Sequence, residues 1–142
     1  MGSYLQVLDG LIERLKISEG FRDRVYKDTL GIDTIGFGFA IKDLVLSEEI
    51  SEIILKEKVE ALIVRIKNKF DWFDEMPPEI QSVVTECCYE LGVNGFSKFK
   101  KTIAHLKEKE FKPAADEMLD SRWAKQTPNR ANMLAGIVRE HG

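Results

Sequence analysis

Glu19, Asp28 and Thr34 stand nine and six residues apart in the stretch ISEGFRDRVYKDTLGIDTIGFGF, residues 17–39. Glu19 falls at the end of a helical pattern that Gly20 stops, so its carboxylate faces the negative end of the helix dipole and its proton affinity is expected to rise. Asp28 falls in the polar turn KDTLG and is expected to stay ionised. One carboxyl group that keeps its proton near neutral pH and one that does not are what glycoside hydrolysis requires, as general acid and as base. Thr34 adds a hydroxyl able to hold a water. With 24 acidic residues in the chain, such pairs also arise without function, and a solvated surface carboxylate is the ordinary alternative for each.

The elements that must position these groups are legible in outline. Ser3 can cap a first helix whose apolar positions Tyr4, Val7, Leu8, Leu11, Ile12 and Leu15 follow the 3.6-residue period. Residues 21–41 mix β-branched and aromatic residues with glycines and predict a small antiparallel β-sheet. Ser47, followed by Glu48 and Glu49, opens a helix over about 47–70, roughly 36 Å long, whose apolar stripe runs from Ile50 to Phe70. Too long to be buried in a domain of this size, it is expected to connect a β-containing lobe (about 14–46) to a helical lobe (about 71–142, joined by the N-terminal helix). The expected helices of that lobe run from Glu79 to Leu91, stopped by GVNG, and from Phe96 to Lys109; a third opens at Pro113 and a fourth is capped by Thr127 before Pro128. The fold class is α+β in two lobes within one domain of 142 residues.

Composition narrows the function. The chain is 44% hydrophobic and 32% charged, and its apolar runs fall short of a membrane span. Asp9 and Glu13 interrupt the N-terminal apolar positions, which argues against a secretory signal and for residence in the cytoplasm until release. Cys87 and Cys88 are adjacent on one helix, a poor geometry for a mutual disulfide, and neither His105 nor His141 stands at a ligand spacing from them; no metal is expected. Net charge is −3, yet residues 98–112 hold six lysines against two glutamates, a local +4 that could attract an anionic polymer or form a solvated helix face. Gly36 and Gly38 begin a GxGxxG pattern, but Ile41 stands at its third glycine and no parallel-sheet unit follows, so no nucleotide cofactor is expected. Phe96, Phe99 and Phe111, interleaved with the lysines, fit buried helix faces rather than a nucleic-acid surface.

The pattern E-x8-D-x5-T within residues 17–39 resembles the catalytic region of the phage-type lysozymes, the endolysins of glycoside hydrolase family 24. CCYELGVNGF (87–96) resembles the segment in which that family enters its helical lobe, and SRWAKQTPNRA (121–131) is very similar to a stretch of its T-even members. The resemblance spans essentially the whole chain. It implies a lysozyme-like fold and a monomeric enzyme without cofactor or metal, acting on bacterial peptidoglycan, not on nucleic acid and without membrane insertion. Its reaction would be inverting hydrolysis of the β-1,4 bond between N-acetylmuramic acid and N-acetylglucosamine. Glu19 would protonate the leaving oxygen while Asp28 and Thr34 position the attacking water, the two carboxyls standing about 6.5–9.5 Å apart. Ala40, Tyr89, Thr102 and Glu117 fall where the family binds substrate, and Arg130 where it places an arginine near the catalytic glutamate.

Three positions depart from the family pattern. Ser18 stands where relatives carry an acid that pairs with the arginine, which would leave Arg130 to lean on Glu19 directly. Phe39 replaces a histidine, a change expected to bear on stability, and Glu90 replaces an amide, placing a third carboxylate where substrate is expected. Competing readings are a non-catalytic peptidoglycan-binding module and a lytic transglycosylase. The presence of all three of Glu19, Asp28 and Thr34 argues against both.

Overall fold

A computed structural model describes residues 3–142. The chain forms two compact units, residues up to Ile50 and Ser51–Gly142, and the division falls in the first turn of a long helix.

The first unit opens with α1 (Tyr4–Glu19). Ser3 caps it through a reciprocal box, its Oγ accepting from the Gln6 N–H while Gln6 Oε1 accepts from the Ser3 N–H. Gly20, at φ 70°, ends it, as the sequence predicts. Three antiparallel strands follow in the order β1 (Arg22–Lys27), β2 (Asp33–Gly36) and β3 (Phe39–Ala40). Tyr26 pairs with Thr34 and Lys27 with Asp33, after a bulge between Arg22 and Tyr26; Thr34 pairs onward with Ala40. A short 3-10 turn (Ile41–Asp43) leads to α2 (Glu48–Lys69), whose Ile50 N–H is accepted by Ser47 Oγ.

The buried core belongs to the second unit. Leu62 and Ile66 of α2 join Phe73, Ile80, Val84, Cys87, Phe96, Leu106, Met118, Leu134 and Val138 in one apolar cluster. Six further elements build it: a 3-10 turn (Phe73–Glu75), α3 (Pro78–Ser97), α4 (Lys100–Lys107), α5 (Phe111–Leu119), α6 (Arg122–Gln126) and α7 (Pro128–His141). The architecture is thus mostly helical with a small antiparallel sheet, the α+β class expected. No described helix is long and apolar enough to cross a membrane.

Several helix boundaries differ from the sequence reading, each for a local reason. GVNG does not stop α3: Gly92 leaves helical geometry at φ 79°, and the helix then resumes because Val93 and Phe96 bury themselves in the core. The helix expected over 96–109 is therefore shared between the end of α3 and the shorter α4. Pro113 is the third residue of α5 rather than its opener; a missing N–H costs nothing there, since the first turn has no intrahelical acceptors. Thr127 precedes α7 but its hydroxyl donates backward to the Trp123 carbonyl, and α6, capped by Ser121, is too short to show a period.

Both cysteines are free and buried, and desolvation pushes each thiol up to about 12. The folded protein is therefore predicted to resist alkylation at pH 8 and to react at both positions once unfolded, as mass spectrometry would read. Because the folded thiols bind their protons more tightly than unfolded ones, the stability they contribute is complete below pH 9 and declines toward pH 12. Cys87→Ala/Cys88→Ala protein should show a shallower alkaline fall in thermal stability over that window.

Candidate active site

Glu19 is the last residue of α1, and its exposed side chain lies over the turn between β2 and β3. A pocket of about 250 Å3 surrounds it, lined by Ile12, Leu15 and Lys16 of α1 and by Phe37 and Phe39. Lys16 is turned away to Glu13, 3.2 Å distant, and among the described residues no hydrogen bond or ion pair engages the Glu19 carboxylate. Phe37 is held from both sides by aromatic neighbours, its ring centroid 5.3 Å from Phe21 and 6.5 Å from Phe39. Phe39 therefore does more than fill space: it forms part of the wall on which Glu19 rests, a role the sequence did not disclose.

Gly38 fixes how closely that carboxyl group approaches the hairpin. Its φ is 77°, a region L side chains rarely adopt, and a Cβ placed there would stand 2.9 Å from Glu19 Cδ and closer still to Oε2. Gly36, at φ 70°, is constrained in the same way by the Phe39 ring, 2.7 Å from where its Cβ would be. The GFG segment is thus glycine on both sides because side chains pack flat against its backbone.

Asp28 and Thr34 meet at a single residue. Asp28 Oδ1 accepts from the N–H groups of Leu30 (2.8 Å) and Ile32 (2.9 Å), closing the β1–β2 turn. The Ile32 carbonyl in turn accepts from the Asp28 N–H at 3.0 Å and from the Thr34 hydroxyl at 2.8 Å. One oxygen of Asp28 is consequently structural, while Oδ2 has no protein partner among the described residues. Thr34 is only 4% exposed and its hydroxyl proton is committed, so what it retains to offer is lone pairs. Ala40, the pairing partner of Thr34 on β3, puts a small side chain beside it.

The remaining expected residues lie in the second unit. Tyr89, 45% exposed, lines a groove of about 820 Å3 together with Thr85, Glu86 and Arg130. Arg130 is held there: its Nε donates to Glu86 Oε2 at 2.9 Å and its Nη1 is 3.5 Å from Glu90 Oε1. Glu90 also accepts from the Trp123 indole N–H at 2.9 Å, so this carboxylate ties α3 to α6 and α7. Glu86 escaped the sequence reading because nothing in its spacing distinguishes it. Thr102 and Glu117 are brought together in a cavity of about 460 Å3 that Lys98, Lys100 and Lys101 also line.

The two roles of Asp28 are separable. Asp28→Asn keeps an acceptor for the turn and should leave stability within about 0.5 kcal/mol. Asp28→Ala removes both turn bonds and should cost about 1–2 kcal/mol, and Gly38→Ala a similar amount from backbone strain. Chemical denaturation of the three variants measures this, and equal stability of the Asn and Ala forms would show that the turn does not depend on Oδ1.

Comparison with known proteins agrees with this arrangement. A sequence-family profile described as phage lysozyme matches residues 16–141. Two proteins of Dictyostelium discoideum are similar over nearly their whole length: probable T4-type lysozyme 1, 27% identical with 93% of this chain and 95% of that protein aligned, and probable T4-type lysozyme 2, 25% identical with 92% and 94% aligned. With the match beginning just ahead of Glu19 and running through α7, the chain belongs to the phage lysozyme family of glycoside hydrolases.

Proposed function

We propose that this protein is a muramidase that cleaves the β-1,4 bond between N-acetylmuramic acid and N-acetylglucosamine in bacterial peptidoglycan, with inversion at the anomeric carbon. The observation that carries the reading is the division of labour at the Ile32 peptide. Asp28 and Thr34 each spend one hydrogen-bonding function on that residue and keep acceptor capacity beside it. A water donating one proton to Asp28 Oδ2 and the other to Thr34 Oγ1 would hold its own lone pair free for attack. Glu19, with no competing partner and set against an apolar wall, supplies the acid.

In the reaction Glu19 gives its proton to the glycosidic oxygen as the C1–O bond breaks, releasing the 4-hydroxyl of N-acetylglucosamine. The water oxygen bonds to C1 from the opposite face, and its proton passes to the Asp28 carboxylate. Proton exchange with solvent restores both groups, so no covalent intermediate and no cofactor enter. Ala40 leaves room for a sugar ring next to Thr34. Tyr89 offers an exposed aromatic face on which a pyranose can stack, and the hydroxyl of Thr102 and carboxylate of Glu117 offer hydrogen bonds to amide and hydroxyl groups of the substrate. Arg130 acts at one remove, holding Glu86 beside Tyr89 in the groove.

Clearing of purified peptidoglycan tests the assignment. Glu19→Gln should lower kcat by about 10²–10⁴-fold with KM little changed, and Asp28→Asn should do the same while folding as stably as the parent. Thr34→Ser should retain most activity and Thr34→Val lose it. Full activity in the Glu19→Gln form would refute the reading, whereas retention on peptidoglycan without clearing, by the parent itself, would make the protein a binding module.

A further inference from the structure

The lysines of α4 are arranged unlike the other cations of this protein. Lys16, Lys27, Lys67, Arg130 and Arg139 each have a carboxylate within 4.0 Å. Lys69, Lys98, Lys100, Lys101 and Lys107 have none among the described residues. Two of them sit where the helix itself opposes them: Lys100 and Lys101 occupy the first turn of α4, which contains no acidic residue, so their charges add to the positive end of its dipole.

Geometry gives this excess charge a shape. Lys100, Ile103, Ala104 and Lys107 share one face of α4, at spacings of three, one and three, and Lys100 and Lys107 are two turns apart, about 10 Å along the axis. Facing them are Lys69, at the end of α2, and the residues that follow it, Phe70, Asp71 and Trp72. The two walls enclose a groove of about 500 Å3 with lysines on both sides and one aspartate. Lys100 also borders the neighbouring cavity with Lys98 and Lys101, so the positive surface continues from one depression to the next. An extended polymer with regularly spaced negative charges meets three ammonium groups in this groove without having to displace a carboxylate from any of them.

We propose that this groove is a docking surface for a polyol-phosphate polymer of the bacterial cell wall, whose phosphodiester charges Lys69, Lys100 and Lys107 receive. The source rests on the peptidoglycan-hydrolase reading above, since a wall hydrolase meets such polymers on the same scaffold that carries its substrate. Phosphodiesters keep their charge throughout the working pH range and present it along a flexible chain, which suits a groove better than a closed pocket. With a net charge of −3 the protein as a whole is repelled by an anionic wall, and a local cationic groove would supply the attraction that overall charge does not.

The test compares wall fragments that retain their polyol phosphate with fragments from which hydrofluoric acid has removed it. The parent should sediment about tenfold more strongly with the phosphate-bearing fragments at low salt, and the difference should vanish at high salt. In Lys69→Gln/Lys100→Gln/Lys107→Gln protein the difference should be absent at every salt concentration, with thermal stability unchanged. Equal sedimentation of the parent with both preparations would overturn the proposal, as would undiminished discrimination by the triple variant or preferential displacement by duplex DNA over free poly(glycerol phosphate). Clearing of the phosphate-free fragments reports separately on the hydrolase reading, because that substrate lacks the proposed ligand.

Discussion

The candidate site depends on how the β1–β2 turn is closed. Asp28 Oδ1 gathers the N–H groups of Leu30 and Ile32, and the same Ile32 peptide receives the Thr34 hydroxyl from the other side. This fixes the orientation of a carboxylate that would otherwise swing freely on an exposed loop, and leaves one oxygen uncommitted. Pairing of Tyr26 with Thr34, and of Thr34 with Ala40, carries the constraint across all three strands. The β2–β3 turn then brings Gly38 beneath Glu19, where only a residue without a side chain permits the approach. A short sheet of this kind contributes little buried apolar surface. Its value lies in holding the three polar groups on backbone hydrogen bonds rather than on side-chain packing.

The second unit is organised differently, around a dry core and one polar link. Arg130 on α7 joins Glu86 and Glu90 on α3, and Glu90 extends the link to Trp123 on α6. A carboxylate at 90 in place of an amide is accommodated because it has both a cation and an indole N–H to satisfy it. The break at Gly92 lets α3 redirect its last turn so that Phe96 reaches the core, stacking with Phe99 at 5.6 Å while Phe70 meets it edge-on at 6.0 Å. That aromatic cluster underlies the lysine-lined groove, which is why the charges above it stand on a firm base.

Much of this was legible in the amino-acid sequence, because the signals were local. Ser3, Gly20, Ser47 and Pro128 each announce a helix end by chemistry that acts within one turn, and the spacing of Glu19, Asp28 and Thr34 marked the site before any fold was known. What the sequence hid was non-local. Nothing near Phe39 indicates that it packs on Gly36 and walls the Glu19 pocket, and nothing near Glu86 indicates that Arg130, 44 residues later, donates to it. Gly92 read as a helix stop because glycine at positive φ usually is one; burial of the residues after it restored the helix. Thr127 read as a cap, but its hydroxyl found the Trp123 carbonyl first.

The central claim is that Asp28 and Thr34 deliver water directly to the anomeric carbon while Glu19 protonates the leaving oxygen. The anomeric configuration of the new reducing end, read by proton NMR in the first minutes of peptidoglycan digestion before mutarotation, tests it most directly. The account predicts the α-anomer; a β-anomer would require a covalent or substrate-assisted route, and a 1,6-anhydro end would mean that no water enters, and either would contradict it.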